Sequence, residues 1–85
     1  MEPWKLVLDE EAFHFFASCR AGERRKLLSA FQELRSNPFR QADYYRKDAV
    51  DRKLSVWAKR PFLITYWLDA FVSEIRIVDI ETIRF

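Results

Sequence analysis

In the middle of the chain, apolar and polar positions alternate with a period of two across two neighbouring runs. These are Lys53–Ala58 and Phe62–Leu68, separated by the short basic break Lys59-Arg60-Pro61. Both runs are rich in β-branched and aromatic residues, which suit a pleated, half-buried surface. Proline has no amide hydrogen to give to a ladder, so Pro61 belongs at the bend, and the stretch predicts a β-hairpin. In the first run Leu54, Val56 and Ala58 project one way, and Lys53, Ser55, Trp57 and Lys59 the other. In the second, Phe62, Ile64, Tyr66 and Leu68 oppose Leu63, Thr65, Trp67 and Asp69. The pattern predicts one wholly apolar side that needs a cover. The opposite side, with lysine, hydroxyls and two tryptophans, is where function is expected.

Before the hairpin, Trp4 to Leu8 reads as a short strand with Trp4, Leu6 and Leu8 on one face. Asp9 is a good N-cap, and Glu10 and Glu11 suit the positive end of a helix that follows it. Ala12, Phe16 and Cys19 form its apolar stripe, widened by Phe13 and Phe15. Ala21-Gly22 breaks the pattern, and Gly22 suits a helix C-terminus. A second helix is expected from about Glu23 to Ser36, buried along Leu27, Phe31 and Leu34 and ended by Asn37-Pro38. Tyr44 to Lys47 reads as a short strand, and a last strand runs from about Val72 to Glu81. That strand places Ile75, Ile77 and Asp79 on one side and Val72, Glu74, Arg76, Val78 and Ile80 on the other. The order is β-α-α-β-β-β with the extra short strand before the hairpin. It predicts an α+β two-layer fold, an antiparallel helical hairpin packed on one face of a small, mostly antiparallel twisted sheet.

Eighty-five residues, 49% of them hydrophobic, make a single domain (1–85) with enough apolar content for a core. One cysteine, Cys19, excludes an internal disulfide and fits a reducing compartment. No signal peptide or membrane span is legible, and a cytoplasmic protein is expected. Net charge is only +2, yet it is unevenly spread. Residues 35–60 carry eight cationic side chains against three carboxylates, a net of +5. Concentrated positive charge there suits a phosphate backbone or an acidic partner chain. A single glycine excludes a phosphate-binding loop or dinucleotide fingerprint, and one cysteine with one histidine, His14, cannot build a zinc site. No metal and no cofactor is implied.

The ordered segments WKLVLDEEA, ELRSNP, RKLSV, ITYWLD and EIRIVDI together resemble the RelE/ParE toxin superfamily of bacterial toxin–antitoxin modules. The likeness runs nearly end to end, and its specificity lies in order and spacing rather than in any one motif. It implies a toxin neutralised by a cognate antitoxin. RelE-like members are metal-independent mRNA endonucleases on the ribosome, in which basic side chains stabilise the charge that develops on phosphate. ParE-like members instead poison DNA gyrase by protein contact.

Lys53, Arg60 and Arg84 are the candidate catalytic residues, Lys53 and Arg84 at positions the resemblance implies and Arg60 as a substitute. Arg46, Lys47, Arg52, Lys53, Lys59 and Arg60 are the candidate nucleic-acid contacts. Leu63 stands where many of the nucleases have an arginine, and Phe85 stands where a tyrosine or histidine is expected after Arg84. Arg76 is a candidate substitute if it faces the groove. For the protein-contact alternative, Trp57, Leu63 and Trp67 form the expected partner-binding patch.

Overall fold

The computed structural model of the chain describes residues 4–83. Its elements are β1 (Lys5–Leu8), α1 (Glu10–Ser18), α2 (Ala21–Ser36), β2 (Tyr44–Lys47), β3 (Lys53–Lys59), β4 (Phe62–Asp69) and β5 (Glu74–Thr82). The strands form one sheet in the order β1-β5-β4-β3-β2. Every neighbouring pair is antiparallel except β1 with β5, which run parallel because the two helices intervene between β1 and the rest of the sheet. The predicted α+β two-layer architecture is the one observed.

Both helices lie on one side of the sheet. Ala12 of α1 and Leu27, Ala30, Phe31 and Leu34 of α2 pack with Phe62, Ile64, Tyr66, Ile75, Ile77 and Ile80 in one buried cluster. Phe15 of α1 meets Phe62 of β4 edge to face, joining the two layers, and Phe16 meets Phe31 at a tilt, joining the two helices. Burial of Phe31 or Phe62 contributes roughly 1.5–3 kcal/mol each, a large share of a small domain's stability.

The local signals act differently from expectation at two helix ends. Asp9 occupies the N-cap position with extended backbone, but its carboxylate makes no cap hydrogen bond. It accepts instead from Arg76 Nη2 at 3.2 Å, a charge-assisted bond that competes with the neutral cap. Gly22 does not end α1; it sits in the first turn of α2. The α1 terminus is closed by side chains, since Ser18 Oγ donates to His14 O and Cys19 Sγ to Phe15 O. Those bonds satisfy carbonyls that a left-handed glycine cap otherwise serves.

The larger difference is in how the two strands of the hairpin are phased. Only Arg60 and Pro61 separate β3 from β4, so Lys59 pairs directly with Phe62, Trp57 with Ile64 and Ser55 with Tyr66. Directly opposed residues project to the same face. Lys53, Ser55, Trp57 and Lys59 therefore share the helix-covered side with Phe62, Ile64 and Tyr66. The open side carries Leu54, Val56, Ala58, Leu63, Thr65 and Trp67. The expectation that Lys53, Lys59 and Trp57 lie on the open face is thus corrected. Trp57 is only 7% exposed and belongs to the helix-side core.

The last strand is rephased too. Thr65 pairs with Asp79 while Tyr66 pairs with Ile77, so Val78 is an extra residue at a bulge. The bulge keeps Ile75, Ile77 and Ile80 all on the helix side and moves Asp79 to the open side beside Arg76.

Truncating a buried aromatic costs about 3–5 kcal/mol. Trp57→Ala should therefore lower the urea unfolding free energy by about that amount, and Trp67→Ala by distinctly less. A larger loss at Trp67 than at Trp57 would contradict this assignment of faces.

Candidate functional site

The open face is built by the outward residues of β2 to β5. Its floor is apolar and closed: Leu54 and Val56 are buried, and Thr65 is 1% exposed although no helix covers it. The Thr65 hydroxyl has no hydrogen-bond partner. Long side chains make the roof. Arg46 of β2 reaches Glu81 of β5 at 3.8 Å, so this pair lies across β3 and β4. The Arg52 guanidinium sits 4.2 Å above the Trp67 ring, a cation–π contact on a half-buried tryptophan. Leu63 is likewise half-buried.

Charge on this face is balanced rather than basic. Arg46 faces Glu81, Arg52 faces Asp48 at 3.8 Å, and Arg76 is held by Asp9 and Glu74 at 3.2 Å each. Asp69 and Asp79 add two further carboxylates on the same side, and Lys5 one cation. Exposed pairs of this kind each contribute at most about 1 kcal/mol. Their effect on the field is larger, because every arginine on the face has a carboxylate beside it.

The remaining sequence candidates lie elsewhere. Lys53 Nζ rests 4.1 Å from the Tyr45 ring on the helix side of the sheet. Lys47 projects to that side as well, paired with Asp51 at 3.3 Å. Lys59 Nζ is 2.9 Å from Glu33 Oε2 of α2, a hydrogen bond that holds the Glu33 carboxyl below its usual range. Arg60 lies in the β3–β4 turn. Arg84 lies outside the described residues. The fold thus brings Arg46, Arg52, Leu63 and Trp67 together, with Arg76 at the far side, and separates them from Lys47, Lys53, Lys59 and Trp57.

Two residues were not candidates from the sequence and matter structurally. Arg40, in the connection after α2, stacks its guanidinium 4.3 Å from the Trp57 ring and lies 3.7 Å from Glu33 Oε1. It closes the helix side beyond the end of α2. Tyr66 is buried in the same region, where its hydroxyl interacts with Ser55. Among the described residues no group of histidine, cysteine, aspartate and glutamate is arranged to hold a metal ion. No helix among them is long and apolar enough to cross a membrane.

Burial pushes the Tyr66 hydroxyl above its ordinary pKa of 10.0. The fold therefore favours the protonated ring, a contribution fully present below the unfolded pKa and lost as pH rises through the folded one. Urea midpoints measured between about pH 9 and 12 should fall with pH, and Tyr66→Phe should flatten that decline. Identical slopes for the two proteins would exclude Tyr66 as its source.

No family model matches the sequence, and no match is found among curated proteins. Among solved structures, the chain is similar to the archaeal RelE–RelB complex from Pyrococcus horikoshii OT3. The two are 12% identical, with a TM-score of 0.72 over 95% of this chain and 96% of that one. At that identity the likeness is one of backbone architecture, and over nearly its whole length this chain has the RelE fold.

Proposed function

We propose that the chain is the toxin of a toxin–antitoxin module and that it acts by gripping a protein rather than by cutting RNA. The toxin reading is supported by the end-to-end RelE fold, whose similar structure was solved as a complex with RelB. By the same analogy, a cognate antitoxin polypeptide is the expected partner.

The choice of mechanism rests on one observation, the charge balance of the open face. Stabilising a phosphorane-like transition state requires cations whose field is not already cancelled. Here each of Arg46, Arg52 and Arg76 has a carboxylate within 3.8 Å. Leu63 adds an apolar position where the nucleases of the resembling superfamily place an arginine. A polar rim around a half-buried Trp67 and Leu63 is the composition of a protein interface. Under this reading Leu63 and Trp67 anchor the partner, and Arg46 and Arg52 orient it. The ribosome-dependent mRNA endonuclease is the second reading, with Lys53, Arg60 and Arg84 as its phosphate contacts. Poisoning of DNA gyrase is the protein-contact activity that the superfamily implies.

Induced expression of the chain alone should arrest growth, and co-expression of the protein encoded beside it should relieve the arrest. Primer extension on cellular mRNA should show no new ends, while supercoiling by purified gyrase is the readout for the contact mechanism. Trp67→Ala should abolish arrest and leave the protein folded. New mRNA ends that vanish in Lys53→Ala would overturn the contact reading in favour of the nuclease.

A further inference from the structure

Two polar side chains of the open face are left without partners, and they stand opposite each other. Thr65 of β4 pairs with Asp79 of β5, so the hydroxyl and the carboxylate project to the same side. Thr65 is 1% exposed, and its Oγ1 has no hydrogen-bond partner. The half-buried Asp79 carboxylate makes no hydrogen bond or ion pair among the described residues. Polar groups left in that state cost the fold free energy until a ligand satisfies them.

The neighbouring charges are already committed. Arg76, on the same strand, is held by Asp9 and Glu74. Asp69 Oδ1 accepts the Phe71 backbone N–H at 3.2 Å. Arg46 reaches Glu81 rather than Asp79, at 3.8 Å, and both members of that pair are about half exposed. An exposed contact of this length is weak and gives way to a better-placed cation. Asp79 and Glu81 lie about 7 Å apart along one face of β5. Thr65 stands beside the first and Leu63 beside the second.

Resting on the protein-contact reading above, we propose that Thr65, Asp79 and Glu81 form a subsite of the open face for one arginine side chain of the polypeptide partner. A guanidinium carries five donors in a planar fork, so it serves both carboxylates and donates to Thr65 Oγ1 together. Leu63 and Trp67, the outward residues flanking Thr65 on β4, supply apolar walls for its stem. A lysine ammonium is a single compact centre and spans the two carboxylates poorly. A phosphate is repelled by both. A metal ion fits poorly as well, since no group of ligands among the described residues is arranged to hold one. In the free protein Arg46 partly fills the position at Glu81, and the incoming arginine displaces it.

The test is a titration of ethylguanidinium chloride into the isotope-labelled full chain, followed by the amide shifts of Thr65 and Asp79. The shifts should saturate in the millimolar range, as expected of so small a fragment. Asp79→Asn should weaken binding about tenfold, the worth of a hydrogen bond to a charged group. Asp51→Asn, which removes a carboxylate from the β2–β3 connection, should leave it unchanged. Thr65→Val should weaken binding several-fold yet raise the urea midpoint of the free protein, because it removes an unsatisfied hydroxyl. A threonine with a purely structural role would lower that midpoint. The polypeptide encoded beside the chain should also bind Asp79→Asn about tenfold more weakly than wild type. Absence of saturable shifts, equal weakening by Asp51→Asn, a lowered midpoint in Thr65→Val, or unchanged polypeptide binding in Asp79→Asn would each overturn the subsite. Tighter saturation of the same amides by calcium chloride would overturn it in favour of a metal site. Failure of the polypeptide to bind even the wild type would instead overturn the toxin reading, and the ethylguanidinium titration would then decide the subsite by itself.

Discussion

A loop of only two residues, Arg60 and Pro61, joins β3 to β4 and places Lys59 directly opposite Phe62. Because side chains alternate along each strand, that one rung decides the face of every residue in the hairpin. Trp57 goes beneath the helical layer with Ile64 and Tyr66, and Lys59 comes within reach of Glu33 on α2. Leu63, Thr65 and Trp67 are left to the opposite side. A loop one residue longer would break this match, setting Trp57 on the side of Leu63, Thr65 and Trp67 instead of that of Ile64 and Tyr66. The apolar cluster of the helices accepts only the observed phase.

The bulge at Val78 makes the same adjustment on β5. Without it, Ile80 would lie on the opposite side from Ile75 and Ile77. With it, all three isoleucines meet the helices, and Asp79 joins Arg76 on the open side. The two phase choices together produce the electrostatic character of that side. Its arginines arrive from β2, the β2–β3 turn and β5, and its carboxylates arrive from almost the same places. A surface assembled in this way suits a partner that matches a mosaic of both signs.

Much of this was readable in the residues. The helices show apolar positions at helical spacing, and the strands show alternation dense enough to set their boundaries within a residue or two at most ends. The candidate site was read less well. Trp57 and Trp67 look equivalent in the alternation of each strand taken alone, yet one is core and the other borders the open face. The signal that separates them was present in the short Lys59-Arg60-Pro61 break, whose length sets the pairing. Arg40 gave no comparable signal, because its stacking on Trp57 depends on where the loop after α2 descends.

The sequence by itself determined the elements, their order, the two-layer class and the likeness to the RelE architecture. The first three follow from local periodicity and from the need of two amphipathic helices to cover one side of a sheet, whereas the likeness rests on the order and spacing of the segments that carry the resemblance. Which side they cover, and which arginines meet which carboxylates there, was decided only in the tertiary structure. Periodicity records the difference between a strand's two faces, but matching those faces across strands depends on loop lengths and bulges. Pairing of distant charges depends on where those matched strands finally lie.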